Sequence, residues 1–189
     1  MRAYTIGDLV SDLEDITANY SDARNILSRA APLAKRVRED QSWVKPAFYE
    51  CGKEQGFGIT VLHEGEGHKL LVEAIAWLPG RGVLPHDHQT WGIVVGIEGV
   101  ETNVNWLRND DGGKPGFADL TAAHELRVGP GDVAVFMPDD IHSVRNDSDK
   151  TTLSLHIYGK SLTRIDRSEF DPDANIVRAC PKREKSVEA

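Results

Sequence analysis

His86 and His88 stand one residue apart in the stretch LPHDHQTWGIVVGIEG, with Asp87 between them. In an extended chain, positions i and i+2 point to the same side, so the two imidazoles converge on one point. That is a geometry for holding a metal ion. A metal site needs further ligands, and PGDVAVFMPDDIHSVRN downstream offers one: a tight turn, a buried strand, a proline turn, then His142 and Asn146. Seven histidines are present in all. His63 and His68 bracket a polar turn and His124 follows a loop, so these three carry no expectation of chemistry.

A second constellation lies at Ser154, His156 and Tyr158. These positions, i, i+2 and i+4, line one face of a strand together. Taken alone, this is the pattern of an ordinary strand that alternates polar and apolar residues.

The elements that position these residues fall into two textures. The first about 40 residues are helical in pattern. Ile6, Leu9, Val10, Leu13 and Ile16 follow helical spacing, and Thr5 with Asp8 resembles a capping box. A second helix is expected over about Ser21–Arg38, with Ile26, Leu27, Ala30, Leu33, Ala34 and Val37 on one side. Pro32 inside it predicts a break near Ala31. From about Gly56 short strands alternate with glycine and proline turns. They are expected at Gly58–His63, Leu70–Leu78, Gly92–Ile97, Glu101–Leu107, Glu125–Val128, Val133–Met137, Ser143–Asn146 and Thr152–Tyr158. Such punctuation suggests a sandwich or barrel. The tail after about Asp171 is polar, and its last residues are expected to be mobile.

The totals bound the function. The chain has 189 residues, enough for one domain with a sizeable core, and a net charge of -8. Such acidity disfavours nucleic acid and anionic membranes as partners and favours a small molecule. Cys51 and Cys180 match no zinc spacing or disulfide framework, and the N-terminus lacks the apolar core of a signal peptide. Both point to a reducing, cytoplasmic setting.

The histidine layout resembles the cupin superfamily. Gly80, His86, His88 and Gly99 match its first motif in spacing; Pro138, His142 and Asn146 match its second, with the turn one residue short. Gly92 stands where that motif has a glutamate. The resemblance implies a mainly β fold: a small antiparallel barrel (about 56–165) with the N-terminal helices (about 1–40) packed on it and a polar tail (about 171–189), all one cupin domain. It implies a metal on His86, His88 and His142. Three neutral imidazoles without a carboxylate leave a site that attracts an anionic ligand such as a thiolate, and imidazole suits Fe, Zn, Ni and Cu alike.

HDHQTWG (86–92), GVETNVNW (99–106), IHSVRN (141–146) and SLHIYG (154–159) narrow the resemblance to the thiol dioxygenases: cysteine dioxygenase and, more closely, the bacterial 3-mercaptopropionate dioxygenases. It covers roughly 58–170. It implies Fe(II), a small thiol carboxylate and O2 as substrates, and a sulfinate as product. Ser154, His156 and Tyr158 then form a relay beside the iron, and Arg167, nine residues after Tyr158, binds the carboxylate, with Arg164 as fallback. The cysteine that crosslinks to the tyrosine in animal enzymes is replaced here by Gly92 or Ile93, so no crosslink is expected. The strand residue that reaches the substrate in the family falls on Ile59 or Thr60, which cannot make that contact; Gln55 is off register. Trp91 and Trp106 are expected in the core or pocket wall. Two alternatives remain open at this point: a cupin dioxygenase acting on a carbon substrate, and a metal-binding cupin without catalysis. The oligomeric state is undetermined by the sequence.

Overall fold

The computed structural model describes residues 2–185 and 187–188. Helices α1 (Ile6–Asn19) and α2 (Ala23–Lys35) come first. Thr5 and Asp8 do form a capping box: the Thr5 hydroxyl oxygen accepts from Asp8 N at 3.2 Å, and Asp8 Oδ2 accepts from Thr5 N at 2.9 Å. α2 runs through Pro32 without the predicted break. Pro32 and Ser28 lie on the exposed side, where the carbonyl that loses its partner can be solvated. Ile26, Leu27, Ala30 and Ala34, buried on the other side, hold the helix together across it.

The strands are β1 (Phe57–Glu64), β2 (Lys69–Trp77), β3 (Gly82–His86), β4 (Gly92–Glu98), β5 (Glu101–Arg108), β6 (Leu120–Val128), β7 (Val133–Phe136), β8 (Ile141–Arg145), β9 (Thr152–Lys160), β10 (Ser168–Asp171), β11 (Ile176–Ala179) and β12 (Val187–Glu188). One sheet has the order β12-β1-β2-β9-β4-β7 and the other β11-β10-β3-β8-β5-β6. All pairings are antiparallel except β1 with β12. The fold class is the expected one: a mainly β jelly roll with helices packed on one sheet.

The packing explains why β2, β4 and β9 read as nearly unbroken apolar runs: both of their faces are buried. Their outward residues, among them Val72, Ala74, Val95, Leu155 and Ile157, pack with Leu9, Leu13, Ile26 and Leu27 of the helices. Their inward residues alternate with these and face the other sheet. In register, Leu71 pairs with Tyr158, Glu73 with His156 and Ile75 with Ser154. A polar row is thereby built along the interior.

Several expectations need correction. The sheets extend past residue 165, because β10 and β11 form a hairpin whose first strand pairs with β3 at Glu169↔His86. The tail is therefore partly ordered structure: Glu184 N donates to Gln55 Oε1 at 3.0 Å, and Arg183 pairs with Glu169 at 2.7 Å. The expectation of a mobile end bears partly on residues 186 and 189, which lie outside the described residues. β3 was not foreseen, since GVLPH holds a proline and little alternation. β6 begins at Leu120 rather than Glu125; its face is almost wholly exposed, so no apolar alternation marks it. β8 begins at Ile141, two residues before the expected start. Among the described residues, no helix is long and apolar enough to cross a membrane.

Candidate metal centre

β3 ends at His86, and His86 pairs in register with His142 on β8. His88 lies just beyond the strand, so the H-x-H is only half on it. The chain stays extended through Asp87, whose backbone N–H donates to Ser168 O at 3.2 Å. Asp87 Oδ1 accepts from Ser168 N at 2.9 Å, which turns the intervening acid toward β10 and away from the histidines. Gln89, with a φ of 51°, then turns the chain.

The three imidazoles do meet. One nitrogen from each of His86, His88 and His142 lies within 4.8 Å of the others. His86 is 8% exposed and the other two 1%. Two outer nitrogens are tethered: His86 Nδ1 to Leu84 O at 2.9 Å and His142 Nδ1 to Asn103 Oδ1 at 3.2 Å. As donors there, both rings present Nε2 lone pairs to the centre. His88 Nε2 and His142 Nε2 stand 3.4 Å apart, close to the separation of two ligands on one metal with bonds of ~2.1 Å. Burial, the largest cause, pushes all three pKa values down, that of His86 to about 4. They are neutral at pH 7, the form that ligates. His88 Nε2 and His142 Nε2 can share at most one proton, His88 Nδ1 has no partner among the described residues, and a cation at the focus of the three rings would satisfy the converging lone pairs. The residues fit a divalent transition metal. Among the described residues no carboxylate joins the cluster.

Gly92 opens the space beside it. A Cβ there would stand 3.3 Å from Tyr158 Cδ1 and 3.5 Å from His88 Nδ1, so any side chain at this position starts tight against both rings. Both cysteines are free, and Gly92 is the residue that faces the tyrosine ring.

Ser154, His156 and Tyr158 are all buried on the inward face of β9. Ser154 Oγ is 2.9 Å from His156 Nε2, and His156 Nδ1 is 2.9 Å from the Tyr158 hydroxyl. The Tyr158 ring stands 4.8 Å from that of His88. Burial holds the Tyr158 phenol far above its ordinary pKa, so it keeps its proton. Burial likewise lowers His156 to about 3, leaving a neutral imidazole that accepts at one nitrogen and donates at the other.

The network continues into residues that the sequence reading missed. Ser154 Oγ donates to Glu101 Oε2 at 2.8 Å, and Asn103 Nδ2 donates to Glu101 Oε1 at 3.3 Å. Since Asn103 Oδ1 faces His142, the chain runs from Tyr158 to a histidine of the cluster. Burial raises the Glu101 pKa, opposed by these hydrogen bonds. Glu73, on β2 beside His156, is also buried and was also missed. Each had a visible signal: a lone acid in the apolar run LLVEAIAW, and an acid opening a strand after a glycine turn.

The histidines, Tyr158, Glu73 and Arg167 line a small cavity of about 60 Å³. Phe57, Ile75, Trp77 and Val144 make its apolar wall. Glu73, Arg167 and Cys180 also line a larger cleft of about 730 Å³ that leads outward. Arg167 lies in both spaces, Arg164 only in the cleft. No ion pair engages Arg167 among the described residues, because Glu169 is taken by Arg178 and Arg183 at 2.8 and 2.7 Å. Ile59 lines both spaces and Gln55 is turned to Glu184. Trp91 and Trp106 pack in apolar clusters and do not line the cavity. Asn146 is a turn residue: its side chain bonds Trp77 O, Lys150 O and Ser148. His63, His68 and His124 lie outside the site.

No family model matches the chain. Among solved structures, it is similar to an uncharacterised conserved protein with a double-stranded β-helix domain from Klebsiella pneumoniae (13% identity, 68% of this chain and 92% of that one, TM-score 0.47). It is similar to oxalate oxidase in complex with the substrate analogue glycolate (17% identity, 64% and 61%, TM-score 0.46). It is also similar to Peruvianin-I, a cysteine peptidase from Thevetia peruviana latex (15% identity, 64% and 77%, TM-score 0.45). The chain thus spans 61% of the length of the oxalate oxidase. At these values none of them says what this chain binds or does.

Proposed function

We propose that the chain is a non-haem Fe(II) thiol dioxygenase, adding both atoms of O2 to the sulfur of a small thiol carboxylate to give a sulfinate. The observation that carries this reading is the hydrogen-bonded row Ser154–His156–Tyr158, ending in a protonated phenol beside the three-histidine cluster. A site that only binds metal has no use for a buried relay aimed at it.

His86, His88 and His142 would hold the metal, which would supply the positive charge that favours a thiolate and a redox-active centre joining sulfur to O2, the four electrons that reduce O2 coming from the thiol sulfur as it becomes a sulfinate. The uncharged ligand set leaves that charge unneutralised for an anionic sulfur. With Ser154 donating to Glu101, His156 Nε2–H donates to Ser154 and His156 Nδ1 accepts from the Tyr158 hydroxyl, so the phenol keeps its proton on the His156 side and would turn it to an oxygen or sulfur only when one binds in the cavity. His156 fixes the direction of that hydroxyl, and Ser154 fixes the ring of His156. Arg167 is the carboxylate-binding group, able to grip it through two parallel hydrogen bonds and so set where the sulfur lies. The apolar wall of Phe57, Ile75, Trp77 and Val144 limits water.

The test is oxygen uptake by the Fe(II)-loaded protein against small thiols, with sulfinate measured in parallel. One sulfinate formed per O2 consumed supports the reading. Uptake on a carbon substrate without thiol replaces it with another dioxygenase chemistry. Bound iron with no uptake on any substrate replaces it with a binding module.

A further inference from the structure

Glu73 is the single charged residue in LLVEAIAW, and it points inward. Its register partners are His156 on β9 and Val61 on β1. It is 5% exposed and lines both the cavity and the cleft. Among the described residues no hydrogen bond or ion pair engages its carboxylate; Lys185, Arg167 and Glu64 act on it only through their charge. A buried carboxylate without a partner is unfavourable. Sites that bind charged ligands tolerate such a group because the ligand brings the partner.

Arg167 presents the opposite charge to the same cavity, also without an ion pair among the described residues. Two opposite charges thus face one small space beside the three histidines, and neither has neutralised the other. A bare mercaptocarboxylate satisfies Arg167 and leaves Glu73 unmatched. A ligand that satisfies both carries an ammonium and a carboxylate.

We propose that Glu73 is a specificity-determining residue that holds the ammonium of the substrate while Arg167 holds its carboxylate, narrowing the class to amino-bearing thiol carboxylates. This rests on the thiol reading above for the sulfur, but not for the ammonium. Burial holds Glu73 at about 7 in the free protein, with Lys185 and Arg167 pulling it down. An ammonium at contact distance adds to that pull and favours the ionised carboxylate.

L-cysteine and 3-mercaptopropionate differ by one amino group, so their kcat/KM ratio reads the contact directly. Glu73→Gln keeps the shape and removes the charge; Glu73→Met, of similar volume, serves if the amide misfolds, and a melting curve checks both. We expect wild-type protein to prefer cysteine, and the variants to lose roughly tenfold or more on cysteine relative to 3-mercaptopropionate, so that the preference is abolished. Equal losses on both thiols, or none on either, would overturn the proposal. A second arm uses the iron-loaded protein without oxygen and measures binding of L-serine against 3-hydroxypropionate by calorimetry. A preference for serine that vanishes in Glu73→Gln sustains ammonium recognition even if no thiol is ever oxidised. No preference in wild-type protein overturns it, even if thiols are oxidised.

Discussion

The Ser154 hydroxyl, on one sheet, donates a 2.8 Å hydrogen bond across the barrel to Glu101 on the other. Through Asn103 the same carboxylate reaches His142. The phenol of Tyr158 and an imidazole of the cluster therefore share one buried acceptor, so their positions are not set independently. Leucine at position 101 would leave the donors of Ser154 and Asn103 unsatisfied, at about 1–3 kcal/mol each. The expected outcome for Glu101→Leu is a lower melting temperature together with lower turnover. Glu101→Gln, which can still accept from Asn103 and donate to Ser154, should lose much less of both. Indistinguishable variants would show that Glu101 does not couple the two groups.

Removing only the Tyr158 hydroxyl separates chemistry from assembly. The Tyr158→Phe protein should bind metal as wild type does, because no ligand is touched. Its turnover should fall by roughly a hundredfold, the lower end of what a positioned proton donor contributes. Metal analysis beside steady-state rates decides this, and an unchanged rate removes Tyr158 from the mechanism.

Acid should weaken the metal-free protein. His86 titrates at about 4 and His156 at about 3 in the folded state, against 6.5 ordinarily. Between about 4 and 6.5 the unfolded chain binds protons that the folded chain does not, so stability rises with pH there. The contribution is full above about 6.5 and is lost as pH falls toward 4. Melting temperatures of metal-free protein measured from pH 7 to pH 4 should decline through that window. A flat profile would mean that these rings are not held neutral.

The two candidate arginines differ in reach. Arg167 lines the inner cavity and Arg164 only the outer cleft. Arg167→Ala should raise KM for carboxylate-bearing thiols roughly tenfold or more, and Arg164→Ala should change it little. A larger effect at Arg164 would reassign the carboxylate contact.

Gly92 sits close against two rings of the site. Its Cβ-to-be meets Tyr158 at 3.3 Å and His88 at 3.5 Å, and both rings are buried and fixed by neighbours. Gly92→Ala should cost about 1–3 kcal/mol through overpacking and should lower turnover by displacing the phenol. A denaturant series beside rates would show it; wild-type values in both would mean the ring yields freely.

What could be read from the chain follows from how local each signal is. Alternation along β9 and spacing around His86 and His88 are short-range, and they located His86, His88, Ser154, His156 and Tyr158; His142 came from the proline turn four residues before it. The roles of Glu101 and Asn103 could not be read because their partners sit 53 and 39 positions away, across the barrel, although Glu101 itself stands out as an acid opening a strand. β3, β10 and β11 went unseen for a related reason: they are short, and β10 and β11 are held chiefly by pairing with each other, with β3, and by ions at Glu169. Propensity within a window of a few residues carries none of this. Pro32 misled in the opposite sense, since a local breaker lost to tertiary packing on the buried side of α2.

β9 lies between β2 and β4 in its sheet, although more than fifty residues separate it from either in sequence. During synthesis the sheet therefore has a gap until residue 160 has left the ribosome, and the relay and the neighbourhood of Glu73 do not exist before that point. Metal uptake with native affinity becomes a late event, coupled to insertion of one central strand. Such non-local closure is slow, so the time course of metal binding during refolding reports the arrival of β9.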